Sequence, residues 1–147
     1  DMNIVTPALE NIIEANILLS GLGFESGGLA AAHGIVDGLT ILPGTHKYMH
    51  GEEVAFGTLC HMMLENAPTE ELDEVLNFCL DVGLPVCLAD IGVDSISEEE
   101  LRQVAEKASI LEESTHAMPF PVNARTVAAA IVAADKIGSA YKQERAQ

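Results

Sequence analysis

Every long apolar segment of this chain repeats at a spacing of about 3.6 residues and is bounded by a recognisable cap or breaker, a pattern that favours helices over sheet. Thr6-Pro7 supplies an N-cap and a proline at the first helical position, and Leu9, Ile12, Ile13 and Leu19 then fall mainly on one face up to Ser20-Gly21. Gly21-Leu22-Gly23 is expected to be a connection, with a second helix from about Ser26-Gly27 to Leu39. A third is expected from His50 to about Asn66, and a fourth from Thr69 through Val82, stopped by Gly83-Leu84-Pro85. Ser97 and Glu100 have the spacing of a capping box, and Asn123 caps a last long helix from Ala124 to about Glu144. Met118-Pro119-Phe120-Pro121 must be a loop, whereas Val86 to Val93 reads equally as a short helix or an extended segment. The expected architecture is an all-α helical bundle forming a single domain over residues 1–147.

A chain of 147 residues is long enough to bury roughly 70% of its unfolded surface. Although 48% of the residues are hydrophobic, Gly, Pro, Asp and Glu interrupt each apolar run, so no membrane span is expected. No basic and apolar leader pattern opens the chain, and Asp1 in place of an initiator Met points to a start inside a longer protein. The net charge of −16 argues against nucleic acid, whose phosphates need a concentrated basic surface. Cys60, Cys79 and Cys87 are odd in number and lack CxxC spacing, which fits buried free thiols in a reducing cytoplasm rather than a disulfide framework.

The stretch from Gly21 to Leu64 carries the chemistry. His33 sits in a small-residue run, Ala30-Ala31-Ala32-His33-Gly34, and Leu29, Ala32, His33, Val36 and Leu39 share a helical face, so the imidazole should point inward. His50 opens the next helix, beyond a turn at Pro43-Gly44. Their separation is too wide for an HExxH helix, so the chain must fold back to bring them together. Two histidines with one carboxylate leave a coordination position open, which is a catalytic rather than a closed structural arrangement. The competing reading is that each is an ordinary core or surface histidine. His46, Lys47 and Tyr48 either line a substrate mouth or lie in solvent, and residue type favours solvent. Glu52 and Glu53 suit the positive end of the helix dipole.

The segments Gly23-Phe24-Glu25-Ser26-Gly27-Gly28-Leu29-Ala30-Ala31-Ala32-His33 and His50-Gly51-Glu52-Glu53-Val54-Ala55-Phe56-Gly57-Thr58-Leu59 closely resemble the glycerol dehydrogenase branch of the group III, iron-containing alcohol dehydrogenase family. The likeness continues through Leu64-Glu65-Asn66-Ala67-Pro68, Val82-Gly83-Leu84-Pro85 and His116-Ala117-Met118-Pro119. It covers essentially the whole chain and only the C-terminal portion of the family's sequence. The resemblance implies the C-terminal helical domain of the dehydroquinate synthase-like fold, with the N-terminal NAD-binding domain absent. It implies NAD-dependent oxidation of glycerol, or a similar small polyol, to dihydroxyacetone, with Zn2+ stabilising the alkoxide from which hydride leaves to NAD. His33 and His50 match the family's two histidine ligands, its aspartate ligand lies upstream of Asp1, and on this reading Phe24 is expected to help wall the substrate pocket.

Similar sequences often carry Asn at the position of Asp37 and Lys at that of Glu53, so the surroundings of this site are more acidic. Asp37, one turn beyond His33, is either a replacement carboxylate or a capping or solvent-facing residue. His116 matches a family motif without an assignable ligand role. The isolated chain is expected to be inactive, to self-associate through surface meant for the missing N-terminal domain, and to belong to a cytoplasmic homo-oligomer. The alternative is a non-catalytic helical binding or oligomerisation domain derived from the dehydrogenase.

Overall fold

The caps legible in the sequence set most helix boundaries. The computed structural model describes residues 4–146, and no strand occurs among them. Helix α1 (Pro7–Glu14) starts where the Thr6 hydroxyl accepts the Leu9 N–H at 3.2 Å. Helix α6 (Glu98–Lys107) begins with a reciprocal box: Ser97 Oγ accepts the Glu100 N–H at 3.2 Å, and Glu100 Oε2 accepts the Ser97 N–H at 2.9 Å. Asn123 Oδ1 accepts the Thr126 N–H at 3.1 Å and opens α7 (Ala124–Arg145). Between α1 and α6 lie α2 (Ser20–Gly27), α3 (Ala31–Leu39), α4 (His50–Leu64) and α5 (Thr69–Val82). The undecided segment at Val86–Val93 contains a single 3-10 turn, Leu88–Ile91, closed by Gly92 in the left-handed region.

The body is organised around α4, which packs on α3, α5 and α7, while α6 closes against both α3 and α7. Phe56 and Leu59 of α4 are fully buried with Ile35 and Leu39 of α3, Leu76 of α5, Val104 of α6, and Val127 and Ile131 of α7. Each such side chain contributes about 1.5–3 kcal/mol relative to exposure. The three cysteines are buried free thiols, and burial pushes each of them up from the ordinary thiol range. No described helix is long and apolar enough to cross a membrane.

One expected boundary is wrong. Helix does not stop at Gly21-Leu22-Gly23: α1 continues through a π-helical segment, Ala15–Leu19, into α2, giving one rod from residue 7 to residue 27. The break comes at Gly28, whose φ of 70° is open to glycine and strained for other residues, and α3 starts only at Ala31. Local glycines lower helix propensity but do not by themselves end a helix. Nor do Leu9, Ile12, Ile13 and Leu19 form a buried face: no residue of the rod is buried, and its main contacts are among its own segments.

Candidate metal and substrate site

His33 is held by tight packing of its two neighbours in α3. The Ala32 carbonyl lies against Gly57 of α4, where an added Cβ would come within 2.5 Å of the oxygen. On the other side Gly34 abuts Thr115, leaving 2.7 Å between an added Cβ and the threonine methyl. Ser114 Oγ donates to the Ala30 carbonyl at 3.0 Å and Thr115 Oγ1 to the Ala108 carbonyl at 2.6 Å, fixing the loop that supports this turn. Small residues in the run around His33 therefore serve close helix approach, and the imidazole inherits a fixed base.

His50 stands at the first position of α4, after Pro43-Gly44 and the 3-10 turn Thr45–Lys47 have reversed the chain. Glu52 Oε2 accepts the Met49 N–H at 2.8 Å and closes the first turn in place of a hydroxyl cap. Glu52 thus takes up an orphan donor as well as suiting the dipole, whereas Glu53, which the dipole argument treats alike, is buried at 8% exposure. The fold brings the two imidazoles together in a tilted arrangement, with ring centroids 5.4 Å apart and planes inclined at 49°.

His33 is partly buried, and its pKa is lowered chiefly by that burial and then by the neighbouring His50, with Asp37 acting in the opposite sense. Lowering keeps the imidazole neutral to lower pH, the state in which its nitrogen lone pair can bind a cation. Two neutral imidazoles at this separation are a donor set suited to zinc, and they need further ligands to complete it. Among the described residues no group of three His, Cys, Asp or Glu side chains gathers to hold a metal, so Asp37 does not complete the pair. Asp37 is exposed and lies beside Glu113, whose carboxyl is pushed up by burial and then by that neighbouring negative charge.

Both histidines line a cavity of about 630 Å³, the other wall of which comes from the rod: Leu19, Phe24, Gly28 and Leu29 among others. Phe24 is among the residues that line this cavity and is 61% exposed. The supporting roles of Ser114 and Thr115 and the lining role of Leu19 have no counterpart among the residues singled out from sequence: no local pattern marks the first two, and the Gly21-Leu22-Gly23 run beside Leu19 reads as a connection rather than as helix. His116 stays outside the site, its Nε2 within 3.1 Å of the Ser109 carbonyl oxygen. His46 is solvent-exposed, with Nε2 within 2.8 Å of the Thr40 carbonyl oxygen. His61, near the end of α4, lies with Nε2 3.6 Å from Oε2 of Glu65 at the helix C-cap.

No protein-family model matches the sequence. A glycerol dehydrogenase of Thermotoga maritima is 56% identical over 138 residues, covering 94% of this chain and 38% of that protein. Among solved structures, a probable glycerol dehydrogenase from Sinorhizobium meliloti superposes with a TM-score of 0.88 at 49% identity, over 93% of this chain and 39% of that one. The glycerol dehydrogenase of Schizosaccharomyces pombe superposes with a TM-score of 0.92 at 40% identity, over 97% of this chain and 36% of that one. The chain thus spans well under half the length of the relatives it matches. What it matches in them is their C-terminal helical domain. Sequence likeness at this level and a shared fold together place the chain in the glycerol dehydrogenase family, as a counterpart of that helical portion.

Proposed function

We propose that the chain is the metal- and substrate-binding part of an NAD-dependent dehydrogenase that oxidises glycerol, or a similar small polyol, to dihydroxyacetone. The observation that carries this reading is the approach of His33 and His50 to 5.4 Å at one wall of a 630 Å³ cavity. Bound there, Zn2+ would supply the positive charge that lets an aliphatic alcohol lose its proton near neutral pH. His33 and His50 would hold it through neutral imidazole nitrogens, each positioned by its own helix. Phe24, Leu19 and Leu29 would exclude water around the carbon chain of the polyol, which strengthens polar interactions at the hydroxyl end. The hydride acceptor, NAD, is assigned to the remainder of the longer protein, because the described residues contain no strand and so no strand–turn–helix unit to seat a pyrophosphate.

Calorimetric titration of the chain with Zn2+ tests the reading. One site per chain is expected, weaker than a site with a third protein ligand, and lost in both His33→Ala and His50→Ala. Affinity should fall as pH drops, since a proton competes for the lone pair that the metal uses; the lowered pKa of His33 moves its share of that loss to more acid pH. Zinc binding unaffected by either substitution would remove the assignment. A stable oligomer indifferent to zinc would favour a non-catalytic helical domain instead.

A further inference from the structure

His33 stands in the first turn of a helix that lacks a side-chain cap. The chain enters α3 through Gly28, in the left-handed region, and through an extended Ala30 whose side chain offers the first amides no acceptor. The His33 and Gly34 N–H groups both reach back to the Ala30 carbonyl, at 3.2 and 3.3 Å, the long end of the range for such bonds. An uncapped first turn frays, because its orphan amides turn to water instead of to a side chain. A metal ligand placed there is only as fixed as the turn that carries it.

What closes this turn comes from far along the chain. Ser114, 84 residues beyond Ala30, donates its hydroxyl to the Ala30 carbonyl at 3.0 Å, so one oxygen ties both first-turn amides of α3 to the 3-10 turn Ser114–Ala117. That turn is itself anchored: Thr115 is fully buried, and its hydroxyl donates at 2.6 Å to the carbonyl of Ala108, the C-cap of α6. The approach is close, for a Cβ added to Gly34 would lie 2.9 Å from the Thr115 nitrogen and 3.4 Å from Ser114 Oγ. Two hydroxyls thereby connect the end of α6 to the turn that bears His33.

We infer that Ser114 is a positioning residue for the metal site: its hydroxyl stands in for the missing cap of α3 and holds the His33 turn where the imidazole meets that of His50. The inference rests on the metal reading above. Its signature is a separation of metal binding from stability. Removing the Ser114 hydroxyl leaves the Ala30 carbonyl with its two amide donors, so no buried group is orphaned and the fold keeps its stability. The metal binds only the closed turn and loses affinity as the closed fraction falls.

Ser114→Ala in the 147-residue chain tests this, with Ser109→Ala as the control. Ser109 Oγ also donates to a carbonyl, that of Ala105 at 2.7 Å, four residues back along its own segment. Without metal, NMR should show the His33 and Gly34 amides of Ser114→Ala exchanging about fivefold faster, the worth of one net hydrogen bond, while amides of α4 and α7 are unchanged. Zinc affinity by calorimetry should fall about three- to fivefold, the visible absorption of bound Co2+ should change with it, and Tm should stay within about 2 °C. Ser109→Ala should alter neither His33 exchange nor zinc affinity. Unchanged zinc affinity in Ser114→Ala would overturn the inference whether or not His33 exchanges faster, since the hydroxyl would then serve structure alone. An equal loss of affinity in Ser109→Ala would also overturn it. If the unchanged chain binds no zinc, the metal reading fails by itself, and exchange at His33 still decides whether Ser114 caps α3.

Discussion

Mixed with NAD, glycerol and zinc, the 147-residue chain should give no NADH absorbance above blank. Hydride transfer needs a polarised alcohol, a nicotinamide ring within reach and a cavity that holds both in register. The chain offers two imidazoles and one exposed apolar wall; among its described residues it has no third metal ligand and no dinucleotide-binding unit. Joined to the portion of a relative that it lacks, the same chain should oxidise glycerol, and His33→Ala or His50→Ala should abolish that activity without unfolding the protein. Neither imidazole packs in the core: His33 is partly exposed and His50 exposed. Strong turnover by the isolated chain would mean that a carboxylate within these residues completes the site, with Asp37 the first to examine.

A second large effect is expected far from the site. Replacing Gly138 with Ala should destabilise the fold at or above the upper end of about 1–3 kcal/mol for overpacking, with Tm falling by roughly 10 °C. An added Cβ would lie 1.7 Å from the Val86 carbonyl oxygen and 2.6 Å from its carbon, so backbone itself has to move. The turn is poorly free to do so. Asp90 Oδ2 accepts the Val86 N–H at 3.1 Å, Asp135 Oδ1 of α7 accepts the Leu88 N–H at 2.8 Å, and Lys142 of α7 pairs with Asp90. Gly51→Ala is the control for the thermal melt. It sits in the first turn of α4 with nothing within 4 Å of an added Cβ, so Tm should hold or rise slightly.

What could be read from the sequence divides along physical lines. Interactions that close within a few residues were legible: the Thr6, Ser97 and Asn123 caps and the stop after Val82 at Gly83. The boundary inside the rod was not, because the choice between turn and helix at Gly21-Leu22-Gly23 depends on what surrounds those residues, and in the structure the helix passes through them. The rod's apolar pattern gives a helical face, and in the structure that face lies exposed. At the site, the identity of His33 and His50 came from resemblance, since a lone histidine in an apolar run does not declare itself a ligand. Their meeting was beyond local pattern: it depends on the reversal between α3 and α4 and on the contacts of Gly57 with Ala32 and of Gly34 with Thr115.

Whether His33 and His50 bind one metal ion together can be read from X-ray absorption at the zinc edge. In the zinc-loaded chain nitrogen and oxygen scatterers are expected at about 2.0–2.2 Å, with the outer-shell signature of two imidazole rings. In His33→Ala and in His50→Ala the signature should fall to one ring or the zinc should be lost. A two-imidazole spectrum unchanged by either substitution, or a spectrum dominated by sulfur at about 2.3 Å, would contradict it.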